Sequence, residues 1–326
     1  MDPRERVPLG RTSLNVTRFG LGTAPLAGLF EAVDDYQAMQ VIDHAWDDGI
    51  RFFDTAPLYG HGLAELRLGR FLRHQPRGEF VLASKVGRLL RADAPPEPGQ
   101  SFRGTLPVNP MFDFTYDGVM RSVEESLERL GLERIDILHI HDPDDHYEEA
   151  LKGAYRALDR LRADGVIRAV GAGMNQAEML TRFAREGNFD CFLLAGRYTL
   201  LDQVALKELL PLCLERGIAI IAGGVYNSGI LADPKPGAHY DYQDAPAPLL
   251  ERAVRMRAVC ERYGVPLKAA AVQFPMGHEA VTAVMVGCRS KAQLEESLRM
   301  FEMEIPSALW SDLKAEGLLG AEVPTP

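Results

Sequence analysis

Residues 46–54 read WDDGIRFFD, which places the end of a helix, a glycine and a short apolar strand in succession. The same order recurs at 162–171 (RADGVIRAVG) and at 215–223 (ERGIAIIAG). In each copy the glycine can take the left-handed conformation that ends a helix, and β-branched or aromatic residues typical of a strand follow it. The pattern therefore predicts a repeated unit in which each helix leads directly into a strand.

Alternating strands and helices are predicted along most of the chain. Strands are predicted near 18–23, 50–54, 80–85, 135–141, 166–172, 190–195, 218–222 and 283–287. Helices are predicted near 35–48, 62–74, 116–130, 147–163, 176–186, 205–216, 249–263 and 291–300. The strands are apolar on both faces, which is typical of a parallel sheet covered by helices. Eight alternations favour a closed (β/α)8 TIM barrel over an open sheet.

Three segments fall outside the eight units. Residues 7–22 hold two short β-like runs, which predict an N-terminal β-hairpin closing one end of the barrel. The tail after 302 is apolar enough to pack as one extra C-terminal helix. The segment 86–114 predicts a long lid or binding loop, and its prolines are Pro95, Pro96, Pro98, Pro107 and Pro110. No linker divides the 326 residues, so we expect 1–326 to form a single barrel domain.

Composition excludes several classes of protein. The net charge is −10 and no basic stripe is present, which argues against nucleic-acid binding. No run of about 18 apolar residues occurs, so we expect no membrane span, and the N-terminus lacks a secretory signal. The widely spaced cysteines predict reduced thiols in a cytoplasmic protein, and they are Cys191, Cys213, Cys260 and Cys288. Charge and composition indicate no oligomeric state.

Polar residues at the carboxyl ends of predicted strands are the candidates for chemistry, because those ends form the mouth of a barrel. Asp54, Lys85 and His141 each end a strand, and Tyr59 follows Asp54 in a loop. A lysine ammonium is expected to lower the pKa of a neighbouring tyrosine, and an aspartate can orient that lysine. The tyrosine can then exchange a proton with an alcohol or carbonyl, which is the acid–base half of a hydride transfer.

Three motifs resemble the signatures of the aldo-keto reductase family: GIRFFDTAPLYGHGLAELRLGRFL at 49–72, ASK at 83–85 and RIDILHIHDPD at 134–144. The resemblance extends over residues 7–301, nearly the whole chain. It implies a (β/α)8 barrel whose catalytic residues are Asp54, Tyr59, Lys85 and His141. It also implies that NAD or NADP binds across the barrel mouth without a Rossmann domain and without a metal.

The same resemblance implies a set of residues that contact the cofactor. They are Gly22, Thr23, Asp54, Asn175, Tyr226, Ser228, Gly229, Leu231, Gly287, Arg289, Gln293, Glu296 and Ser297. The chain departs from the family pattern at three places. Met174 replaces a serine, Ala195 replaces a glutamine, and Gly223 replaces the aromatic residue that stacks on nicotinamide. We expect Tyr226 to be close enough to compensate for that aromatic residue.

The charge of the segment 286–297 bears on the choice between NAD and NADP. Many relatives that use NADP carry a lysine and an arginine where this chain has Gly287 and Gln293. A guanidinium suits a phosphate dianion, so their replacement favours NAD. Arg289 and Lys291 remain nearby and keep NADP open.

The departures from the family pattern, together with FLLAGRYTLLDQ at 192–203, resemble the branch that contains D-threo-aldose (L-fucose) 1-dehydrogenases and pyridoxal 4-dehydrogenases. This resemblance implies oxidation of a cyclic aldose hemiacetal to a lactone, with Tyr59 as the base. Predicted substrate contacts are His141, Asp142 and Phe112, although Asp142 can equally cap a loop and Phe112 can equally anchor one. The alternatives in the same family are reduction of small aldehydes or ketones and oxidation of pyridoxal.

Two alternatives come from other classes of protein. A metal-dependent TIM-barrel hydrolase is one, because His139 and His141 face the same side of a strand and Asp142, Asp145 and His146 follow. Asp144, Asp145 and His146 are better explained as the start of the helix after the strand, where acidic residues are favoured. The second alternative is a barrel that binds NAD(P)H without turnover.

Overall fold

Eight parallel strands close into a barrel in the computed structural model, which describes residues 1–96, 99 and 101–326. Around the barrel each strand pairs with its neighbours, and the last strand pairs with the first to close the ring. The predicted (β/α)8 barrel is confirmed, and each predicted barrel strand overlaps an observed one. Pro98, one of the prolines assigned to the predicted long loop, lies outside the described residues.

The fourteen described strands include three short antiparallel pairs that lie outside the barrel. In chain order the described strands are β1 (Arg6–Pro8), β2 (Asn15–Thr17), β3 (Phe19–Gly22), β4 (Phe52–Asp54), β5 (Val81–Val86), β6 (Arg88–Arg91), β7 (Asn109–Phe112), β8 (Ile137–His141), β9 (Ala169–Met174), β10 (Cys191–Ala195), β11 (Ala219–Gly223), β12 (His239–Tyr240), β13 (Gln243–Asp244) and β14 (Val281–Gly287). The barrel runs in the order β3, β4, β5, β8, β9, β10, β11, β14. Such a ring requires a covering layer, because its strands are buried on both faces.

Helices supply that outer layer. They are α1 (Asp35–Asp47), α2 (Leu63–Leu72), α3 (Tyr116–Leu130), α4 (Tyr147–Glu149), α5 (Tyr155–Ala163), α6 (Ala177–Glu186), α7 (Leu209–Arg216), α8 (Ala247–Arg262), α9 (Leu267–Gln273), α10 (Lys291–Glu302) and α11 (Ser307–Ala315). A π-helical stretch at Ala150–Ala154 joins α4 to α5, and a 3-10 turn at Val204–Leu206 precedes a shorter α7 than predicted. Helix α9 was not predicted, because its run LKAAAVQ is almost uniformly apolar and shows no amphipathic period.

The glycines at the three repeated joints behave as the sequence pattern predicts. Gly49, Gly165 and Gly217 have φ angles of 82°, 73° and 65°. This left-handed conformation ends the helix before each of them and turns the chain toward the next strand. The joints therefore set the spacing at which α1, α5 and α7 lead into the barrel.

The N-terminal hairpin closes the lower end of the barrel, which is the end where the barrel strands begin. Strands β1 and β2 pair antiparallel, and Leu9, Leu14 and Val16 pack into the apolar cluster that fills the barrel interior. Phe52 and Ile137, which lie in the first half of their strands, belong to the same cluster. The predicted hairpin and its closing role are confirmed, and the opposite end of the barrel is left as its mouth.

The segment 86–114 contains more structure than predicted. Strands β6 and β7 form a two-stranded antiparallel sheet in which Leu89 faces Met111 and Leu90 faces Pro110. The segment forms the predicted long connection between β5 and α3, and its two ends pair as short strands. Leu89 and Leu90 are buried, and the Ser122 hydroxyl on α3 donates to the Arg88 carbonyl at 3.3 Å, so contacts with α3 order the sheet.

The extra C-terminal helix is confirmed as α11. Leu309, Trp310 and Leu313 are buried in the apolar cluster between the barrel and its helices. Across the residues that the structure describes, no helix combines the length and apolar character needed to cross a membrane. Each of the four cysteines is a buried free thiol.

Gly69 permits a close contact between α2 and the end of α3, and this contact provides a test of the fold. A Cβ atom at Gly69 on α2 would lie 2.1 Å from the Leu130 carbonyl oxygen and 2.5 Å from its Cα. Alanine is the better helix former by about 1 kcal/mol, yet we expect Gly69→Ala to lower the free energy of unfolding by about 2 kcal/mol through overpacking. Urea unfolding measures the change.

Gly78→Ala is the matched control, because a Cβ at Gly78 meets no heavy atom within 4 Å. We expect the control to unfold at the same urea concentration as the parent. A Gly69→Ala variant as stable as the parent contradicts the close packing of α2 on the end of α3.

Candidate active site

Three of the predicted catalytic residues point into the barrel at its mouth. Successive side chains on a strand alternate between its two faces, and Phe52, Ala83 and Ile137 face the barrel interior. Asp54, Lys85 and His141 lie two, two and four residues further along the same strands. They therefore share the interior face at the carboxyl ends of β4, β5 and β8.

Lys85 and Asp54 form a buried ion pair. The Lys85 Nζ atom donates to the two carboxylate oxygens of Asp54 at 2.8 and 2.6 Å and to the Thr55 carbonyl at 2.9 Å. Burial raises the pKa of Asp54 above its ordinary value, and the Lys85 ammonium opposes that rise. Thr23 holds the Asp54 carbonyl through its backbone N–H and its hydroxyl, each at 3.0 Å.

Tyr59 lies beside this ion pair at the start of a 3-10 turn. The Lys85 Nζ atom is 4.6 Å from the centre of the Tyr59 ring, and the His141 ring meets that ring edge-on at 5.7 Å. Burial raises the pKa of Tyr59 well above its ordinary value, and Asp54 and Asp142 raise it further. The direction is opposite to the one expected from Lys85 alone, because Asp54 neutralises the lysine and the phenolate loses its hydration.

His141 completes the group of four predicted catalytic residues. Burial lowers the pKa of His141 well below its ordinary value, and the cations Arg88 and Lys85 lower it further. The ring is therefore neutral near pH 7 and can donate one hydrogen bond. Its Nε2 atom lies 3.4 Å from an Asp142 carboxylate oxygen, and Arg88 donates to the His141 carbonyl at 3.2 Å.

His139 lies two residues before His141 on the same face of β8, deeper in the barrel. It faces Lys85 across the β5–β8 pair and is fully buried. Burial lowers its pKa to about 3, with a further contribution from Lys85. His139 is thus a neutral polar group beneath the ion pair, in a barrel interior that is otherwise mostly apolar.

A long cavity of about 420 Å³ opens from this group toward α10. Most residues of the predicted cofactor set line it, namely Gly22, Asp54, Asn175, Tyr226, Ser228, Gly229, Gly287, Arg289, Gln293, Glu296 and Ser297. Thr23 and Leu231 are buried behind the wall instead of lining it. Thr23 acts there on the Asp54 backbone, and Leu231 packs in the apolar core.

The cavity wall also contains residues that the sequence did not single out. They include Phe30, Gly196, Arg197, Gly224, Tyr242 and Lys268. The glycines after β10 and β11 are a sequence signal that could have identified part of this wall. Gly196 and Gly224 both have left-handed backbones, and a Cβ on Gly224 would lie 3.0 Å from the Gly196 backbone nitrogen.

The larger cavity fits a dinucleotide. Glycines leave the wall open to a long ligand, and a Cβ at Gly229 would project into space with no heavy atom within 4 Å. The Asn227 side chain is buried, and its Oδ1 atom has no hydrogen-bond partner in the described part of the chain. The N-terminus of the twelve-residue helix α10 follows Gly287 and Arg289 at the far end, where the helix dipole favours anionic groups.

A second cavity of about 300 Å³ joins the first beside Tyr59. Both cavities are lined by Tyr59, Asn175, Leu193, Ala195 and Tyr242, so these residues mark the junction. Lys85, His141, Asp142 and Phe102 line the second cavity.

Phe112, a predicted substrate contact, lies outside both cavities. Its ring stacks on Phe114 at 5.8 Å and on His146 at 4.9 Å, and the Arg88 guanidinium lies 4.4 Å from its centre. These contacts anchor β7 to the barrel, which is the alternative that the sequence left open. Phe102, from the same segment, occupies the cavity wall and stands 5.9 Å from the Tyr59 ring.

The histidines that suggested a metal site have other surroundings. His146 stacks on Phe112 and its Nδ1 atom lies 3.1 Å from Glu149. Asp144 accepts a hydrogen bond from Gln176. Across residues 1–96, 99 and 101–326, no cluster of three or more histidine, cysteine or acidic side chains is arranged to hold a metal ion.

Comparisons with known proteins agree with this geometry. Residues 18–316 match the model of the aldo/keto reductase family. Pyridoxal 4-dehydrogenase of Microbacterium luteolum is 44% identical over 336 residues, covering 97% of this chain and 98% of that protein. D-threo-aldose 1-dehydrogenase of a Pseudomonas species is 44% identical over 321 residues, covering 96% of each.

A solved structure supports the fold independently. The holo form of an aldo-keto reductase from Bacillus halodurans superposes with a TM-score of 0.76 at 24% identity, covering 98% of both chains. The family match spans the barrel from its first strand to its last helix. The chain belongs to the aldo/keto reductase family and is an NAD(P)-dependent oxidoreductase.

Proposed function

We propose that the protein oxidises an aldose in its cyclic hemiacetal form at C1, giving a lactone and passing the hydride to a nicotinamide nucleotide. This proposal rests on the position of Tyr59 at the junction of the larger and the smaller cavity. The Lys85 Nζ atom lies 4.6 Å from the centre of the Tyr59 ring, and the centre of the His141 ring lies 5.7 Å from it. The names of the two relatives at 44% identity support this substrate class.

We assign the proton transfer to Tyr59. In oxidation its phenolate takes the proton of the anomeric hydroxyl, and in reduction its phenol returns one. Lys85 favours the phenolate, and Asp54 keeps Lys85 charged and oriented through bonds of 2.8 and 2.6 Å. Neutral His141 donates a hydrogen bond to the substrate oxygen. When bound, the oxidised nicotinamide accepts the hydride, and its positive charge favours the phenolate.

We propose that the larger cavity holds the nucleotide, with the nicotinamide beside Asn175 and the adenosine beside α10. NAD is the preferred form, because each cation at the adenosine end already has a carboxylate partner. Arg289 pairs with Glu31 at 2.7 Å, and Lys268 pairs with Glu296 at 2.8 Å. A carboxylate suits a ribose hydroxyl as an acceptor, whereas it repels the extra phosphate of NADP.

The smaller cavity suits a compact polyhydroxylated ring. Asp142 and His141 offer polar contacts, and Phe102, Leu58 and Leu193 offer an apolar wall. Its volume of about 300 Å³ is at the small end of ligand sites. We propose that Asp142 accepts hydrogen bonds from sugar hydroxyls. The partners of the protein are then small molecules, and residues 1–326 act as one domain.

Pyridoxal is the second candidate substrate. A relative named for its oxidation is as similar to this chain as the aldose enzyme is. The Phe102 ring in the cavity wall also offers an aromatic surface on which a pyridine ring can pack.

Replacement of Tyr59 tests the assigned proton transfer. We expect Tyr59→Phe to lower kcat by about 10³-fold, because the proton acceptor is lost while the cavities keep their shape. The Kd for NADH, measured by fluorescence titration, should stay within threefold. Tyr36→Phe, at a residue on α1 that is 74% exposed, is the control and should keep full activity. Near-normal turnover of Tyr59→Phe contradicts the assignment.

The pH dependence of oxidation follows from the raised pKa of Tyr59. The phenolate fraction grows tenfold per pH unit below that pKa, so kcat/KM for aldose oxidation should rise about tenfold per unit between pH 6 and 8. Reduction uses the protonated phenol and should vary little over the same range. Initial rates in both directions measure the profiles, and a flat oxidation profile contradicts Tyr59 as the base.

A substrate panel tests the proposed function as a whole. It uses L-fucose, D-arabinose, L-galactose, pyridoxal and simple aldehydes with NAD and with NADP, followed by absorbance of the reduced nucleotide. We expect at least one aldose to give the highest kcat/KM, and NAD to exceed NADP. Glu296→Gln should tighten NADPH binding by at least threefold in fluorescence titrations, because it removes a negative charge beside Lys268. A parent enzyme that prefers NADP contradicts the assignment of NAD.

A further inference from the structure

Tyr242 occupies a position that neither the sequence motifs nor the names of the relatives assign. It lines both cavities, together with Tyr59 and Asn175. A side chain at this junction stands beside both ligands of a hydride transfer. Its placement therefore bears on how the substrate is held against the nicotinamide.

The backbone at Tyr242 is held in an unfavourable conformation by specific contacts. Asp241 and Tyr242 form the tip of the β12–β13 hairpin with φ angles of 52° and 64°, a region that residues other than glycine rarely adopt. The Tyr242 N–H donates to the Ser228 hydroxyl at 3.0 Å, and Arg197 binds the Asp241 carboxylate at 2.8 Å. Strain that is maintained in this way tends to occur at functional sites.

The neighbours of the side chain direct its ring and its hydroxyl. The Tyr242 ring lies 6.0 Å from the ring of Phe30, whose backbone N–H donates to the Ser101 carbonyl at 2.8 Å. Asn175 lies beside the phenolic oxygen, and Tyr242 is 51% exposed at the mouth of the two cavities. A tyrosine phenol is protonated near pH 7, because its ordinary pKa is about 10. The Tyr242 hydroxyl can therefore donate its proton to an acceptor in the cavity.

Tyr226 does not take this place. It was the residue expected to compensate for Gly223, where the family pattern has an aromatic side chain. Tyr226 lies instead beside Ser297, Cys288 and Glu296, toward the α10 end of the larger cavity. Tyr242 supplies an aromatic surface at the junction that Gly223 leaves open.

We propose that Tyr242 is a specificity-determining residue: its hydroxyl donates a hydrogen bond to a substrate hydroxyl next to the reacting carbon, and its ring covers the junction. This inference rests on the proposed function, since it deepens the choice of a polyhydroxylated substrate. The inference predicts that Tyr242 improves the binding of substrates that carry a hydroxyl beside the carbonyl carbon and leaves the binding of substrates without that hydroxyl unchanged.

The experiment compares Tyr242→Phe with the parent on matched substrates. For the best aldose we expect KM to rise about tenfold with kcat within threefold, because one hydrogen bond to a bound hydroxyl is lost. In reduction with NADH, the KM for glyceraldehyde should rise similarly and the KM for propionaldehyde should stay within twofold. The Kd for NADH, from fluorescence titration, should also stay within twofold.

Tyr240→Phe is the matched control on the same hairpin. The Tyr240 hydroxyl donates to Asp202 at 3.0 Å, and Tyr240 lines neither cavity. The control should leave every constant within twofold of the parent. The proposal is overturned if Tyr242→Phe leaves the KM of the hydroxylated substrates within twofold, or if Tyr240→Phe or propionaldehyde shows an equal effect.

Failure of the proposed function gives a different result. A parent enzyme that oxidises no aldose with either nucleotide overturns aldose oxidation as the reaction. The glyceraldehyde and propionaldehyde pair then still decides the role of Tyr242. A rise in KM in Tyr242→Phe that is confined to glyceraldehyde upholds that role. KM values for glyceraldehyde that are equal in Tyr242→Phe and the parent overturn it.

Discussion

The buried ion pair between Lys85 and Asp54 is the interaction on which the site depends. Two charges removed from water are tolerated only when each satisfies the other, and loss of one partner typically costs about 3–5 kcal/mol. The pair connects the neighbouring strands β4 and β5, where Asp54 lies opposite Ala83. Pairing of β4 with β5 therefore brings the charges together, and Thr23 on the preceding loop fixes the Asp54 backbone from the other side.

Desolvation acts on the site in one direction. It raises the pKa of Asp54 and Tyr59 and lowers that of His141, and in each case it favours the neutral form. A neutral imidazole is suited to hydrogen bonding with a substrate oxygen, and a protonated phenol is ready for reduction. Oxidation instead requires the phenolate, so it depends on the positive charges that Lys85 and a bound nucleotide place next to Tyr59.

Local sequence patterns predicted the barrel and much of its mouth, because glycine joints and strand periodicity are local properties. Asp54, Lys85 and His141 were found from strand ends alone, and the resemblance added many of the residues that line the larger cavity. Phe102 and Tyr242 were missed because their positions depend on contacts between distant loops. The wall position of Tyr242, for example, requires Ser228 and the Arg197–Asp241 pair, which no periodicity encodes.

The N-terminal hairpin closes the lower end of the barrel, and this closure has a consequence for the path of the proton. Leu9, Leu14 and Val16 seal the lower end with apolar side chains. His139, the polar group beneath Lys85, is uncharged at neutral pH because burial lowers its pKa to about 3, and the barrel interior around the hairpin is mostly apolar. A proton taken up by Tyr59 must leave through the mouth, past the ligands that cover it. Its exchange with solvent is consequently tied to the opening of the site in each catalytic cycle.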